Sequence, residues 1–129
     1  MNKNEWVMSE ELMNYFKERE RIAGRVRDLL SLSYKELATM EMVAEYYEVD
    51  IDDVGEVTNR YRDELSADGV RIYSKSEVKS LIYLNGTEIP TCGLLLYPRS
   101  SIYKVGMLLQ DCAIAEEFRV QYLNNIETV

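Results

Sequence analysis

The chain has 129 residues, 47% of them apolar and 29% charged, which is enough to bury a core in one domain and too apolar for wholesale disorder. Its formal net charge is −8, and it has no histidine and two cysteines outside CxxC spacing, which disfavours a zinc site and excludes a histidine-based triad. No apolar run approaches the ~18 residues of a membrane span, and MNKNEWVMSEELMNYF lacks the apolar centre of a signal peptide, so a cytosolic location is expected. There Cys92 and Cys112 are expected as reduced, mostly buried thiols, with a disulfide between them as the alternative.

Taken in chain order, Ser9 can cap a first helix, with Glu10 and Glu11 where the helix dipole favours acids. Leu12, Phe16, Ala23, Val26 and Leu30 then recur at helical spacing and predict one long helix over about 10–30. Acids alternate with bases from Lys17 to Arg21, which describes a solvated face rather than a nucleic-acid arm. The sharper alternative makes residues 1–32 a helical arm that pairs two copies in a homodimer.

Thr39 can cap a short helix over 40–47 that turns Val43, Ala44 and Tyr47 inward. Glu48-Val49-Asp50 then makes a turn with Asp50 as the next cap. Ile51, Val54, Val57, Tyr61 and Leu65 give the following helix its stripe, and Ala67-Asp68-Gly69 closes it. Beyond Gly69, VRIYS alternates as a strand, SKSEVKSLIYL reads as a short helix from Ser76, and NGTEIPTCG carries turn signals at Asn85-Gly86 and Pro90. GLLLYP reads as a buried strand, and two helices joined near Gln110-Asp111 follow from Ser100. The expected fold is α+β and mainly helical: a long N-terminal helix, a helix-turn-helix, short wing-like strands and C-terminal helices. Residues 33–129 then hold the helix-turn-helix and a small α/β domain.

Ala44, Val49, Val54 and Val57 carry the spacing of a helix-turn-helix core, in which a small residue in the first helix lets the second pack closely. A plain helical hairpin is the alternative, and Glu48 stands where the tight turn usually takes glycine. In that register the second helix presents Asp52, Glu56 and Asn59 to a groove, with Asp53 at its amino terminus and Arg60 to one side. Residues 31–69 hold three basic and eleven acidic groups, so this region alone accounts for the whole excess of negative charge. DNA carries one negative charge per ~1.7 Å of axis, and acids on a reading helix oppose phosphate contact. The carboxylates of Asp50, Asp52 and Asp53 also have a local use, since each can stabilise a helix start by roughly 0.3–1 kcal/mol.

Arg71, Lys75 and Lys79 follow directly, and Arg99 and Lys104 flank the second strand. If they converge beside the helix-turn-helix they form a basic wing that holds phosphates; otherwise they are an ordinary exposed scatter. Tyr73, Tyr83, Tyr97 and Tyr103 lie among them, either packed in the core or free to stack on bases.

The run LATMEMVAEYYEVDIDDVGEVTNRYRDELSADGVRIYSKSEVKSL resembles the opening of amino-terminal domains in phage and mobile-element regulators, the Bro-N, KilA-N and ORF-six-type antirepressor group. LLLYPRSSIYKVGMLLQDCAIAEEFRVQYLNNIE is similar to the second half of those domains, where a D-S-x-x-A-x-x-x-R helix corresponds to Asp111-Cys112-Ala113-Ile114-Ala115 with Arg119. The resemblance covers about four-fifths of the chain. It implies a mixed α/β regulator acting in the host bacterial cytosol, often on DNA. Asp52, Asp53 and Glu56 depart from it, standing where such domains usually carry polar or basic residues, and Gly55 adds a flexible position to the recognition helix. With the chain ending at Val129, the second effector domain of many such regulators is not expected.

No gly-rich phosphate loop, metal spacing or catalytic constellation stands out, so neither an enzyme nor a cofactor is expected. A regulator of double-stranded DNA would anchor phosphates through Arg60, Arg62, Arg71, Lys75 and Lys79, with Arg99 and Lys104 in support and Asn59 reading base edges. The alternative is an acidic antagonist of a basic protein partner, an antirepressor or anti-defence inhibitor. It would present Glu41, Glu45, Asp52, Asp53, Glu56 and Asp63 in the manner of DNA.

Overall fold

Seven helices and a three-stranded antiparallel sheet are laid out in a computed structural model that describes residues 9–82 and 89–127. Helix α1 spans Glu10–Leu30 and is capped by Ser9, whose hydroxyl accepts from Leu12 N at 3.1 Å. Its face toward the core is Ile22, Val26 and Leu29, whereas Leu12 and Phe16 of the expected stripe are exposed. The reason lies in α7 (Ala113–Glu127), which packs alongside only the later part of α1. Arg21 and the start of α7 line one cleft, and Leu30 faces Tyr122 and Asn125 in another, so the two helices run parallel. The first turns of α1 therefore stand ahead of α7, and every residue from Ser9 to Arg21 is exposed.

Strand β1 (Leu37–Thr39) leads into α2 (Met40–Tyr47). Its three residues, Leu-Ala-Thr, are too short to show alternation, which is why the sequence reading passes over them. Thr39 ends the strand and caps the helix, its hydroxyl accepting from Met42 N at 3.2 Å. The turn at 48–50 then leads into α3 (Ile51–Arg60), and Val43, Ala44, Tyr47 and Val54 are all buried, as the helix-turn-helix register requires. Asp50 occupies the cap position of α3, but its side chain makes no capping hydrogen bond. The helix expected to run on to Ala67 breaks at Tyr61 (φ −114°, ψ 35°), and α4 (Arg62–Ala67) follows. The break lets Leu65 enter the core while Arg62 and Ser66 face β2.

Strand β2 (Arg71–Tyr73) and β3 (Leu94–Pro98) pair antiparallel, with β3 central in the order β1-β3-β2. The register sets Ala38 opposite Tyr97 and Ile72 opposite Leu95. Between them α5 (Lys75–Leu81) begins one residue earlier than Ser76, because Ser74 and Glu77 form a reciprocal capping box. The Asn85-Gly86 turn signal lies outside the described residues, while Pro90 accepts from Gly93 N in the turn that enters β3. Helix α6 (Arg99–Leu108) follows without a loop, and Leu109 to Cys112 join it to α7, so the expected junction near Gln110-Asp111 is observed. Among the described residues no helix is long and apolar enough to cross a membrane.

One core gathers α1, the helix-turn-helix, α6 and α7 around Tyr47, Tyr97, Ile102 and Phe118; a smaller cluster holds Tyr73, Val78 and Leu96 beneath α5. Both cysteines are free thiols; Cys112 is buried, but Cys92 is exposed, contrary to expectation, because it sits in the turn before β3.

Candidate nucleic-acid interface

The tight turn of the helix-turn-helix contains Glu48 in the left-handed region (φ 54°), a conformation that disfavours a residue with a Cβ. Two arginines of α1 compensate. Arg21 donates to the Glu48 carboxylate at 2.6 Å, and Arg25 Nε lies 3.1 Å from it. Arg25 also donates to the Glu45 carbonyl at the end of α2. The missing turn glycine is thus explained by partners on a helix that local sequence gave no reason to bring near.

The second anchor is the signature at the start of α7. Cys112, just ahead of α7, does a cap's work: its sulfur accepts from Ala115 N at 3.4 Å and its thiol points at the Tyr47 carbonyl, 3.2 Å away. Arg119 donates to the carbonyls of Gly106 and Leu109, both at 2.9 Å, and so satisfies the end of α6. These residues hold α2, α6 and α7 together, which assigns the motif to architecture. Burial pushes the Cys112 thiol up from its ordinary pKa.

On this frame, three of the cation-region residues named from sequence come together. Asn59, Arg62 and Arg71 line a groove of about 560 Å³ between α3–α4 and β2. Arg62 donates to Asn59 Oδ1 at 2.9 Å. Arg71 pairs with Glu77 at 3.0 Å and lies over the Tyr73 ring at 3.7 Å. That arginine, with the Ser74 backbone amide and hydroxyl, holds the Glu77 carboxyl down at about 2. Lys75 and Lys79 follow on α5, exposed and without an ion-pair partner among the described residues.

The other basic residues are elsewhere. Arg60 pairs with Glu56 at 3.0 Å and lines a separate cleft of about 300 Å³ with Asp53 and Asp111. Lys104 is bound to Asp68 at 2.7 Å. Arg99 donates to the Leu32 carbonyl at 3.2 Å and lines a cleft with Tyr34, Tyr103 and Tyr122. A single wing of all five cations is therefore not what the fold makes, because Lys104 is drawn to Asp68 in the α4–β2 connection and Arg99 to Leu32 just after α1. The tyrosines do not form a stacking platform either. Tyr73 and Tyr97 are buried, Tyr97 sharing a 2.6 Å hydrogen bond with Thr58, and Tyr103 donates to the Leu29 carbonyl at 2.6 Å. Tyr83 lies outside the described residues.

All six acids named from sequence, Glu41, Glu45, Asp52, Asp53, Glu56 and Asp63, are exposed. Glu56 is paired with Arg60; the other five have no ion-pair partner among the described residues. Met40, Gly55 and Ile72 also line the groove; from sequence Gly55 was named only as a flexible helix position, and Met40 and Ile72 were missed. Ile72 carried a signal in principle, since it is an apolar residue between two polar-tipped neighbours on a strand of three. In comparisons with known proteins, no family model matches the chain, and no curated protein or solved structure matches it.

Proposed function

We propose that the chain is a DNA-binding regulator of the phage or mobile-element type its sequence resembles, working in the host cytosol as a homodimer. The observation that carries this reading is the meeting of Asn59, Arg62 and Arg71, from three successive elements, around one groove beside the second helix of the helix-turn-helix. Arg62, Arg71, Lys75 and Lys79 hold backbone phosphates, and Asn59, at the end of α3, reaches base edges. The acids at the start of α3 turn that end of the helix away from phosphate, so the duplex approaches from the α4–β2 side.

Fluorescence anisotropy on labelled duplexes, including the DNA flanking the protein's own gene, tests this at low and moderate salt. Saturable binding is expected to weaken steeply as salt rises. Reversing Arg71 and Lys75 to glutamate removes two phosphate contacts and lowers the salt slope by about 2. Unchanged specific binding in that variant refutes the reading.

One observation favours a second reading, an acidic antagonist of a nucleic-acid-binding protein: Asp52, Asp53, Asp63, Glu41 and Glu45 are exposed and unpaired among the described residues. Converting Asp52, Asp53 and Glu56 to their amides separates the two. DNA affinity rises on the first reading, whereas a protein complex weakens on the second.

A further inference from the structure

Gly55 is a helix-interior residue that the fold does not require to be glycine. Its φ is not positive, and a Cβ built on it would meet only the Met40 sulfur at 3.6 Å, an ordinary contact. In mid-helix a glycine costs about 1 kcal/mol against alanine. What Gly55 does is form part of the wall of the 560 Å³ groove beside Met40, so a large side chain there would take up groove volume. The floor is apolar, built from Leu65, Val70 and Leu95, and Ile72 stands 64% exposed at its edge. At the mouth Arg62 donates to the neutral Asn59 amide and has no ion-pair partner among the described residues. Arg71 beside it already has Glu77.

From this combination we infer that the groove is a binding site for a small organic anion with an apolar body. The apolar part lies on the floor opened by Gly55 and covers Ile72. The carboxylate, sulfonate or phosphate group meets Arg62, with the Asn59 amide beside it. The volume falls within the range of roughly 300–1,000 Å³ typical of small-molecule sites, and an apolar lining with a few convergent polar groups is their usual make-up. The inference stands on the free protein and does not rest on DNA binding. If both hold, ligand and duplex compete for Arg62, and the anion acts as an effector that releases DNA.

The test is an amide NMR titration of the DNA-free protein with 2-naphthoate, using 2-naphthylmethylamine as the probe of similar ring and opposite charge. Saturable shifts at Gly55, Arg62 and Ile72 are expected with naphthoate, and binding at least about tenfold weaker with the amine. Gly55→Leu fills the cavity and weakens naphthoate by about tenfold or more. Gly55→Ala, which gains helix propensity and stays folded, weakens it by a smaller factor. Arg62→Gln removes the preference for the anion while ring binding persists. Absence of saturable shifts at those three amides, equal binding of the amine, or unchanged binding in a folded Gly55→Leu variant overturns the inference.

Discussion

Gly106 in α6 is the counterpart of Gly55: a helical glycine that packing does demand. A Cβ there would stand 2.8 Å from Tyr47 Cζ and 2.9 Å from Phe118 Cδ1, and would run into the Tyr47 hydroxyl itself. That hydroxyl donates to the Ile102 carbonyl at 2.8 Å, and Tyr47 and Phe118 are each no more than 1% exposed, so neither ring has somewhere to go. Gly106→Ala should therefore incur an overpacking penalty of about 2–3 kcal/mol. Loss of the buried hydrogen bond adds about 1 kcal/mol. Against these, alanine gains about 1 kcal/mol of helix propensity. The net expectation is a loss of about 2–3 kcal/mol, which at a urea slope of about 1.5 kcal/mol/M moves the unfolding midpoint down by roughly 1.3–2 M. Tyr47→Phe alone costs about 1 kcal/mol through the same hydrogen bond. Combined with Gly106→Ala it should cost less than the two singles added, because the phenylalanine removes the atom that clashes most. Additive single costs, or a Gly106→Ala variant as stable as the parent, would refute the packing argument.

The Glu77 carboxyl is expected to titrate near 2 rather than near its ordinary 4.5, as followed by side-chain carbon NMR. Because the folded value is depressed, its contribution to stability is present above about 4.5 and is lost as pH falls toward 2; a normal titration midpoint would show that Arg71 and Ser74 do not hold it. Thiol labelling under native conditions should modify Cys92 alone, with Cys112 reacting only on unfolding, since it is buried and its thiol is held protonated by burial; equal rates would contradict the packing of α7. Glu48→Gly should change stability by less than about 0.5 kcal/mol, since relief of about 1 kcal/mol of left-handed strain offsets two part-exposed arginine pairs. Glu48→Ala keeps the strain and loses the pairs, so urea melts should place it about 1 kcal/mol below the parent.

Where local signals were strong, the sequence was readable. Ser9 and Thr39 mark helix starts with side chains that bond the third amide onward, and both caps are observed. The spacing of Ala44, Val49, Val54 and Val57 is a rigid property of two helices with a three-residue turn, and it too appears as read. Helical periodicity failed at Leu12 and Phe16 for the opposite reason: a stripe says which face is apolar, but not whether anything stands in front of it. Among the candidate site residues, Asn59, Arg62 and Arg71 were named from sequence and meet at one groove. Arg60, Arg99 and Lys104 were named beside them and face other ways, since an ion pair with Glu56 or Asp68, or the Leu32 carbonyl, decides direction.

The sequence by itself determined the order of the elements apart from β1 and the α3–α4 break, the mainly helical α+β class, the helix-turn-helix register and the concentration of negative charge in residues 31–69, all of which follow from short-range periodicity, capping and counting. Only the tertiary structure decided which charges are spent on one another. Arg21 and Arg25 reach Glu48 across more than twenty residues, and Lys104 reaches Asp68 across more than thirty, distances along the chain at which spacing carries no information. It also decided the meaning of two glycines that look alike in sequence. Gly106 lies against Tyr47 and Phe118, where no Cβ fits, and Gly55 lies beside a groove, where one would. Local rules set what each residue does to its own helix; the space around a residue is set by chain segments far away in sequence.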